Sequence, residues 1–397
     1  MTMITPSLHA CRSTLEDPDT TFKAAAVQAE PVWMDAAATA DKTVTLVAKA
    51  AAAGAQLVAF PELWIPGYPG FMLTHNQTET LPFIIKYRKQ AIAADGPEIE
   101  KIRCAAQEHN IALSFGYSER AGRTLYMSQM LIDADGITKI RRRKLKPTRF
   151  ERELFGEGDG SDLQVAQTSV GRVGALNCAE NLQSLNKFAL AAEGEQIHIS
   201  AWPFTLGSPV LVGDSIGAIN QVYAAETGTF VLMSTQVVGP TGIAAFEIED
   251  RYNPNQYLGG GYARIYGPDM QLKSKSLSPT EEGIVYAEID LSMLEAAKYS
   301  LDPTGHYSRP DVFSVSINRQ RQPAVSEVID SNGDEDPRAA CEPDEGDREV
   351  VISTAIGVLP RYCGHSKETR CTKGVFMSRR RKYSPELKRE AIALTRH

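Results

Sequence analysis

The order of apolar and polar positions predicts helices alternating with short buried strands. Phe22–Ala29 is an apolar run stopped at Pro31 and reads as a strand. Ala36–Ala53 places Val44, Val47, Ala48 and Ala51 at helical spacing, and Gly54 suits the end of that helix. Gln56–Phe60 is a short buried strand ended by Pro61. Ile99–Asn110 reads as helix and Ile111–Tyr117 as strand. Thr124–Asp133 alternates like a strand, turns at Ala134, Asp135 and Gly136, and returns along Ile137–Lys146. Gly171–Asn177 is a further strand and Leu182–Ala192 a helix. Gln196–Ala201, Thr229–Thr235, Gly261–Tyr266 and Gly283–Asp290 complete the strands. The pattern is that of an α/β sandwich with helices covering sheets. It does not by itself separate such a sandwich from a doubly wound sheet. No Gly-x-Gly-x-x-Gly follows the first strand and no phosphate-loop string is present, which disfavours both nucleotide sites.

Composition bounds the rest. The 397 residues are 43% hydrophobic and 23% charged, as in ordinary globular proteins. Lys and Arg number 42 against 49 Asp and Glu, a net charge of −7, which is a poor match for nucleic acid or an anionic membrane. No apolar run approaches the ~18 residues that a membrane span needs. Six cysteines without a Cys-x-x-Cys pair argue against a zinc ribbon or redox dithiol. With no secretory h-region at the start, the expected setting is cytoplasmic.

The two ends look foreign to the middle. Residues 1–20 open with MTMITPSLHACRSTLEDP, which resembles the start of the β-galactosidase α-fragment with a vector polylinker. They are expected to be a disordered leader outside the fold. Residues 21–316 form one acidic, well-mixed block. Residues 317–376 are expected to be an irregular linker, since Asp330–Glu349 carries nine acidic residues and almost nothing to bury. Residues 377–397 begin MSRRRKYSPELKREAIALTR, which resembles the opening of an insertion-sequence transposase helix-turn-helix. With only half a motif it reads as an appendage without a role of its own, a DNA-binding arm being the alternative.

Three residue types stand at three strand ends. Glu62 follows Phe60-Pro61 at the rim of a buried strand, where a half-buried carboxylate has a raised pKa and can act as a general base. The plain alternative is a surface carboxylate in a turn. Arg141 to Lys146 puts five cations in six positions of a strand. Alternation sends Lys144 and Lys146 to one face and Arg143 to the other, so an inward lysine could stabilise negative charge in a cleft. A solvated basic edge strand is the plain alternative. Cys178 lies between a strand and a helix, as in hydrolase elbows, where the helix dipole should lower the thiol pKa. A buried structural cysteine is the plain alternative.

Taken together, Glu62, Lys144 and Cys178 resemble the Glu–Lys–Cys set of the carbon–nitrogen hydrolase superfamily, and the flanking strings resemble its nitrilase branch. These strings are AAAVQAEPVWMD (Ala24–Asp35), LVAFPELWIPGYP (Leu57–Pro69) and RRRKLKPTRFER (Arg141–Arg152). GEGDGSD (Gly156–Asp162), GALNCAENLQ (Gly174–Gln183), GGGYARIYGPDM (Gly259–Met270) and DPTGHYSRPDV (Asp302–Val312) follow. The likeness spans about three quarters of the chain. It implies a four-layer α-β-β-α sandwich, with Cys178 as nucleophile, Glu62 as general base, Lys144 stabilising the tetrahedral species and Glu151 orienting the lysine. It implies no cofactor and no metal. It also implies a homodimer growing into spirals or filaments, with a small nitrile as the partner molecule.

One departure is Arg149, where the family usually has His; it is expected to alter hydrogen bonding near Glu151. Ala179 stands where many relatives have Trp, and relatives with Cys-Ala-Glu tend to prefer arylacetonitriles. Trp64, Tyr68 and Trp202 each follow a predicted strand end and are candidates for the pocket, with core packing as the alternative. The implied activity is hydrolysis of an organic nitrile to acid and ammonia. The alternatives are a cyanide-hydrolysing relative, an amidase of the same superfamily, and a catalytically weak scaffold.

Overall fold

Among the described residues, twelve strands and seven helices follow from the buried runs and the breaks between them. They are β1 Thr21–Ala29, α1 Ala36–Ala52, β2 Ala55–Ala59, α2 Gln77–Lys89, α3 Pro97–Glu108, β3 Ala112–Ala121, β4 Thr124–Ile132 and β5 Thr138–Arg143. Then come β6 Phe155–Gly156, β7 Ala166–Thr168, β8 Gly171–Asn177, α4 Ser184–Ala192, β9 Ile197–Ala201, α5 Gly213–Thr227 and β10 Phe230–Gln236. The last are α6 Pro240–Ala245, β11 Arg264–Tyr266, β12 Gly283–Asp290 and α7 Met293–Ser300. This is a computed structural model, and it describes residues 21–205, 212–249 and 257–322. The leader 1–20, the tail 377–397 and most of the expected linker lie outside the described residues.

Strands run in the order β5-β4-β3-β2-β1-β10-β9-β8-β7. β12 lies antiparallel along nearly all of β1, while only Gln28 and Ala29 of β1 pair with Thr235 and Gln236 of β10. That short pairing joins two half-sheets at a corner. Alternation then sorts the side chains into layers. Ala24 and Ala26 of β1 and Leu57 and Ala59 of β2 pack with Val173, Ala175, Ile197, Ile199, Phe230 and Leu232 of the other half. On the reverse side, Ala25, Val27, Val58 and Leu113 meet Ala40 and Val47 of α1 and Ile99 and Ile102 of α3. Leu176, Val231 and Met233 meet Leu190 of α4 and Ile216 and Tyr223 of α5. The layers are helix, sheet, sheet, helix, as expected. Covered on both faces, the strands read as near-continuous apolar runs rather than alternating ones.

The sequence reading missed the longer α2 and α5 and the short α6 and α7. An Asn76–Glu79 capping box opens α2: Oδ1 of Asn76 accepts from the Glu79 N–H at 3.1 Å and Oε2 of Glu79 from the Asn76 N–H at 3.1 Å. Pro82 inside the helix blurs its period. Gly213 and Gly217 do the same in α5, where the Tyr262 ring comes within 2.3 and 2.8 Å of where a Cβ would stand. Past residue 316, where the linker was expected to begin, Ile317 packs on the cluster around α4 and α5. Further on, Gln322 donates its N–H to Asp159 at 2.8 Å.

Candidate functional site

The three strand ends converge. Glu62 sits on a sharp turn after β2, with Leu63 in the left-handed region at φ 45°. That turn lies directly on Gly116 of β3, where a Cβ would be 2.5 Å from the Leu63 nitrogen and 2.8 Å from the Glu62 Cα. Only glycine admits so close an approach. The Glu62 carbonyl accepts from Nε2 of Gln236 at 2.7 Å and its N–H donates to the Trp202 carbonyl at 3.3 Å, so the end of the second half-sheet holds it as well.

Lys144 is the first residue past β5, which ends three residues earlier than expected, at Arg143. Its side chain is fully buried, and Nζ donates to Oε1 of Glu62 at 2.8 Å and to Oε2 of Glu151 at 2.8 Å. Lys146 does not share this face: it is exposed and pairs with Glu157, because the chain has already left the strand. Alternation holds one step earlier, with Arg142 and Lys144 inward and Arg141 and Arg143 turned to Glu119. Glu151 also accepts from the Tyr68 hydroxyl at 2.7 Å and from the Thr148 N–H. These bonds run without Arg149, which is exposed at φ 50°.

Cys178 follows directly on β8 at φ 50°, a left-handed conformation that costs a non-glycine residue energy and recurs at functional turns. A single 3-10 turn, Cys178–Leu182, separates it from α4. The expected fall in thiol pKa does not occur. Burial pushes the Cys178 thiol well above its usual value, and the Glu62 charge adds to this, while Lys144 and the Ala179 N–H oppose it. A turn this short has little dipole to offset the loss of solvent. At rest Cys178 is therefore a thiol, and deprotonating it takes a base.

Glu62 suits that need. Burial and the nearby Glu151 raise its pKa to about 8 despite Lys144. Its Oε1 is held by Lys144, and its buried Oε2 has no hydrogen-bond partner in the protein. Lys144 is held charged: its two carboxylates outweigh the cost of burial and raise its pKa.

Ala179 is half-buried against the cluster that contains Cys178 and Trp202. The Trp202 indole donates to Ser200 Oγ at 2.7 Å. Trp64 lies elsewhere: it packs on Phe60, donates to Thr43 of α1 at 2.8 Å and belongs to the core under α1 and α3. Tyr68, a candidate for the pocket, gives its hydroxyl to Glu151.

Sequence reasoning missed the braces. Arg142 grips Glu180 with two bonds of 2.7 and 2.8 Å, both side chains buried. The same carboxylate accepts from the N–H groups of Asn177 at 2.9 Å and Leu145 at 2.8 Å, one residue from each of Cys178 and Lys144. The signal was the inward phase of the basic strand, which puts Arg142 beside Lys144's face. Among the described residues no three His, Cys, Asp or Glu side chains gather to hold a metal, and no helix is long and apolar enough to cross a membrane.

The family model described as carbon-nitrogen hydrolase matches residues 23–299. An aliphatic nitrilase of Rhodococcus rhodochrous is 46% identical over 78% of this chain and 86% of its own length. An arylacetonitrilase of Hypocrea virens is 40% identical over 78% of this chain and 95% of its own. Among solved structures, a carbon-nitrogen hydrolase from Helicobacter pylori superposes with a TM-score of 0.58 over 74% of this chain and 97% of that one. At 19% identity it speaks for the fold alone.

Proposed function

The chain belongs to the carbon–nitrogen hydrolase family, in its nitrilase branch, and from that premise we propose that it hydrolyses organic nitriles to carboxylic acid and ammonia through Cys178. The observation that carries this reading is the Glu62 carboxylate. One oxygen is fixed by Lys144 and the other is unpaired, in a buried site shared with a thiol that burial keeps from ionising alone.

Glu62 Oε2 takes the Cys178 proton as sulfur attacks the nitrile carbon. The C–S bond forms, one C–N π bond breaks, and the nitrogen gains the proton, leaving a thioimidate. Lys144 and the Ala179 N–H stabilise the developing negative charge, first on nitrogen and then on oxygen. Water, deprotonated by Glu62, adds to the carbon. Protonation and loss of ammonia leave a thioester, and a second water releases the acid and restores the thiol. Glu151 holds Lys144 in line, and Tyr68 holds Glu151.

Ala179 and Trp202 line the substrate side, whereas Trp64 stays in the core. The small side chain at 179 leaves space beside the nucleophile, which suits an arylacetonitrile.

Two copies associate. Leu182 and Leu185 near the start of α4 and Val222 of α5 are exposed, on helices tied together by the Lys187–Glu226 pair. Apolar side chains on neighbouring helices favour a second copy over solvent. A cytoplasmic setting and growth into spirals belong to the same proposal.

The test is release of acid and ammonia from phenylacetonitrile, benzonitrile, an aliphatic dinitrile, cyanide and phenylacetamide, with Cys178→Ala alongside. Turnover of an organic nitrile that vanishes in the variant is expected. Turnover of cyanide alone or of the amide alone overturns the substrate class, and turnover that survives in the variant overturns the nucleophile.

A further inference from the structure

A second buried chain of hydrogen bonds ends on the backbone carbonyl of Cys178. The Cys178 carbonyl accepts from Nδ2 of Asn181 at 2.8 Å. Oδ1 of Asn181 faces Nε2 of His198 at 2.8 Å, and Nδ1 of His198 faces Oε1 of Glu195 at 2.7 Å. Oε2 of Glu195 accepts from the Tyr223 hydroxyl at 2.7 Å. The His198 ring stacks on Tyr223 with centroids 3.8 Å apart. All four side chains are buried. The GALNCAENLQ string makes room for them, since a Cβ on Gly174 would stand 2.0 Å from Oε1 of Glu195.

Donor and acceptor chemistry fixes the direction of the chain. Asn181 must turn its amide N–H to the Cys178 carbonyl, because the flipped amide would set oxygen against oxygen. Its Oδ1 then faces His198, so Nε2 of that ring must carry a proton. Glu195 and Nδ1 share one further proton between them. Nothing in this chain can reverse without leaving a buried group unpaired.

The consequence lies in the peptide between Cys178 and Ala179. A trans peptide is planar, so fixing its C=O direction fixes its N–H direction. That N–H reaches the Cys178 sulfur and is the backbone donor to the reacting charge in the mechanism above. We propose that Asn181 and His198 are positioning residues, which aim the Ala179 N–H and hold Cys178 in its left-handed turn through the Cys178 carbonyl. The inference rests on the reading of Cys178 as nucleophile.

Two substitutions of His198 separate positioning from mere core filling. In His198→Gln the side-chain amide nitrogen falls near the place of Nε2 and keeps a donor for Asn181. In His198→Asn the shorter amide falls near Nδ1, keeps the Glu195 contact and loses that donor. Both lose the ring stack on Tyr223. We expect His198→Asn to lower kcat on the parent's best nitrile on the order of a hundredfold with KM within about threefold, because a misaimed donor acts on the transition state. His198→Gln should stay within about tenfold of the parent. Alkylation of Cys178 by iodoacetamide, followed on its own peptide, should slow in the same order.

Asn181→Ser supplies a second route should His198→Asn fail to fold, and should show the same kcat loss with KM held. Folded variants with parental kcat overturn the inference. So does a loss that is equal in Gln and Asn and follows their melting temperatures. If Cys178→Ala retains turnover, the nucleophile reading fails instead; if it abolishes turnover while the His198 pair behaves alike, only this inference falls.

Discussion

At Glu62, burial and charge pull in opposite directions, and burial wins. Its pKa rises from 4.5 to about 8, because losing solvent outweighs the attraction of Lys144. The base must be ionised to accept the thiol proton. Turnover should therefore climb with pH along a limb near 8, far above the ordinary carboxylate range. Glu62→Gln keeps an oxygen for Lys144 but cannot take a proton, and kcat should fall at least about a hundredfold. The effect on stability has a definite sign. The folded state binds this proton more tightly than the unfolded chain, so the stability it contributes is complete below about 4.5 and is lost as pH rises through about 8. Glu62→Gln should thus gain in melting temperature relative to the parent on going from about pH 5 to about pH 9. A pH–rate limb at about pH 4 to 5, or a variant that shows no such relative gain, would sink this account of the site.

At the scale of elements, the site is held by a bond between β5 and the turn after β8. Arg142 and Glu180 are buried together, and Glu180 also takes the N–H groups beside Cys178 and Lys144. Lys144 and Cys178, 34 positions apart in the chain, thereby share one anchor. A buried charge stripped of its partner is expensive. Arg142→Met should destabilise the fold by about 3–5 kcal/mol, read by urea unfolding. A loss below about 1 kcal/mol would mean that the pair is dispensable. The sequence did signal this strand, since five cations with alternating phase put some of them inward. It could not tell which neighbour Arg142 would meet, because Glu180 arrives from the other half-sheet. Nor did it reveal α2 and α5, where Pro82 and two close-packed glycines interrupt the helical period.

For the whole molecule, the question is what covers the outer face of α4 and α5. Leu185 is 66% exposed there, with Leu182 and Val222 also open to solvent. If a second copy covers them, Leu185→Asp should shift the protein to a smaller species in sedimentation, with little change in the melting of the monomer fold. An unchanged sedimentation coefficient would place the interface elsewhere. The leader and tail play no part in this argument, since they lie outside the described residues.

The sequence by itself determined the alternation of strands and helices, the family, and three residues at strand ends. These are local facts: periodicity, turn residues and strings that flank a reactive side chain. It also placed Arg149 and Ala179 at their departures from the family pattern. Tertiary structure alone decided the rest. It made Cys178 a thiol rather than a thiolate, because burial is a property of the folded whole and overrides a short turn's dipole. It sent Trp64 to the core and Tyr68 to Glu151, because pocket and core look alike along a chain. And it joined Arg142 to Glu180, and Asn181 to His198, across strands whose sequence separation hides their contact.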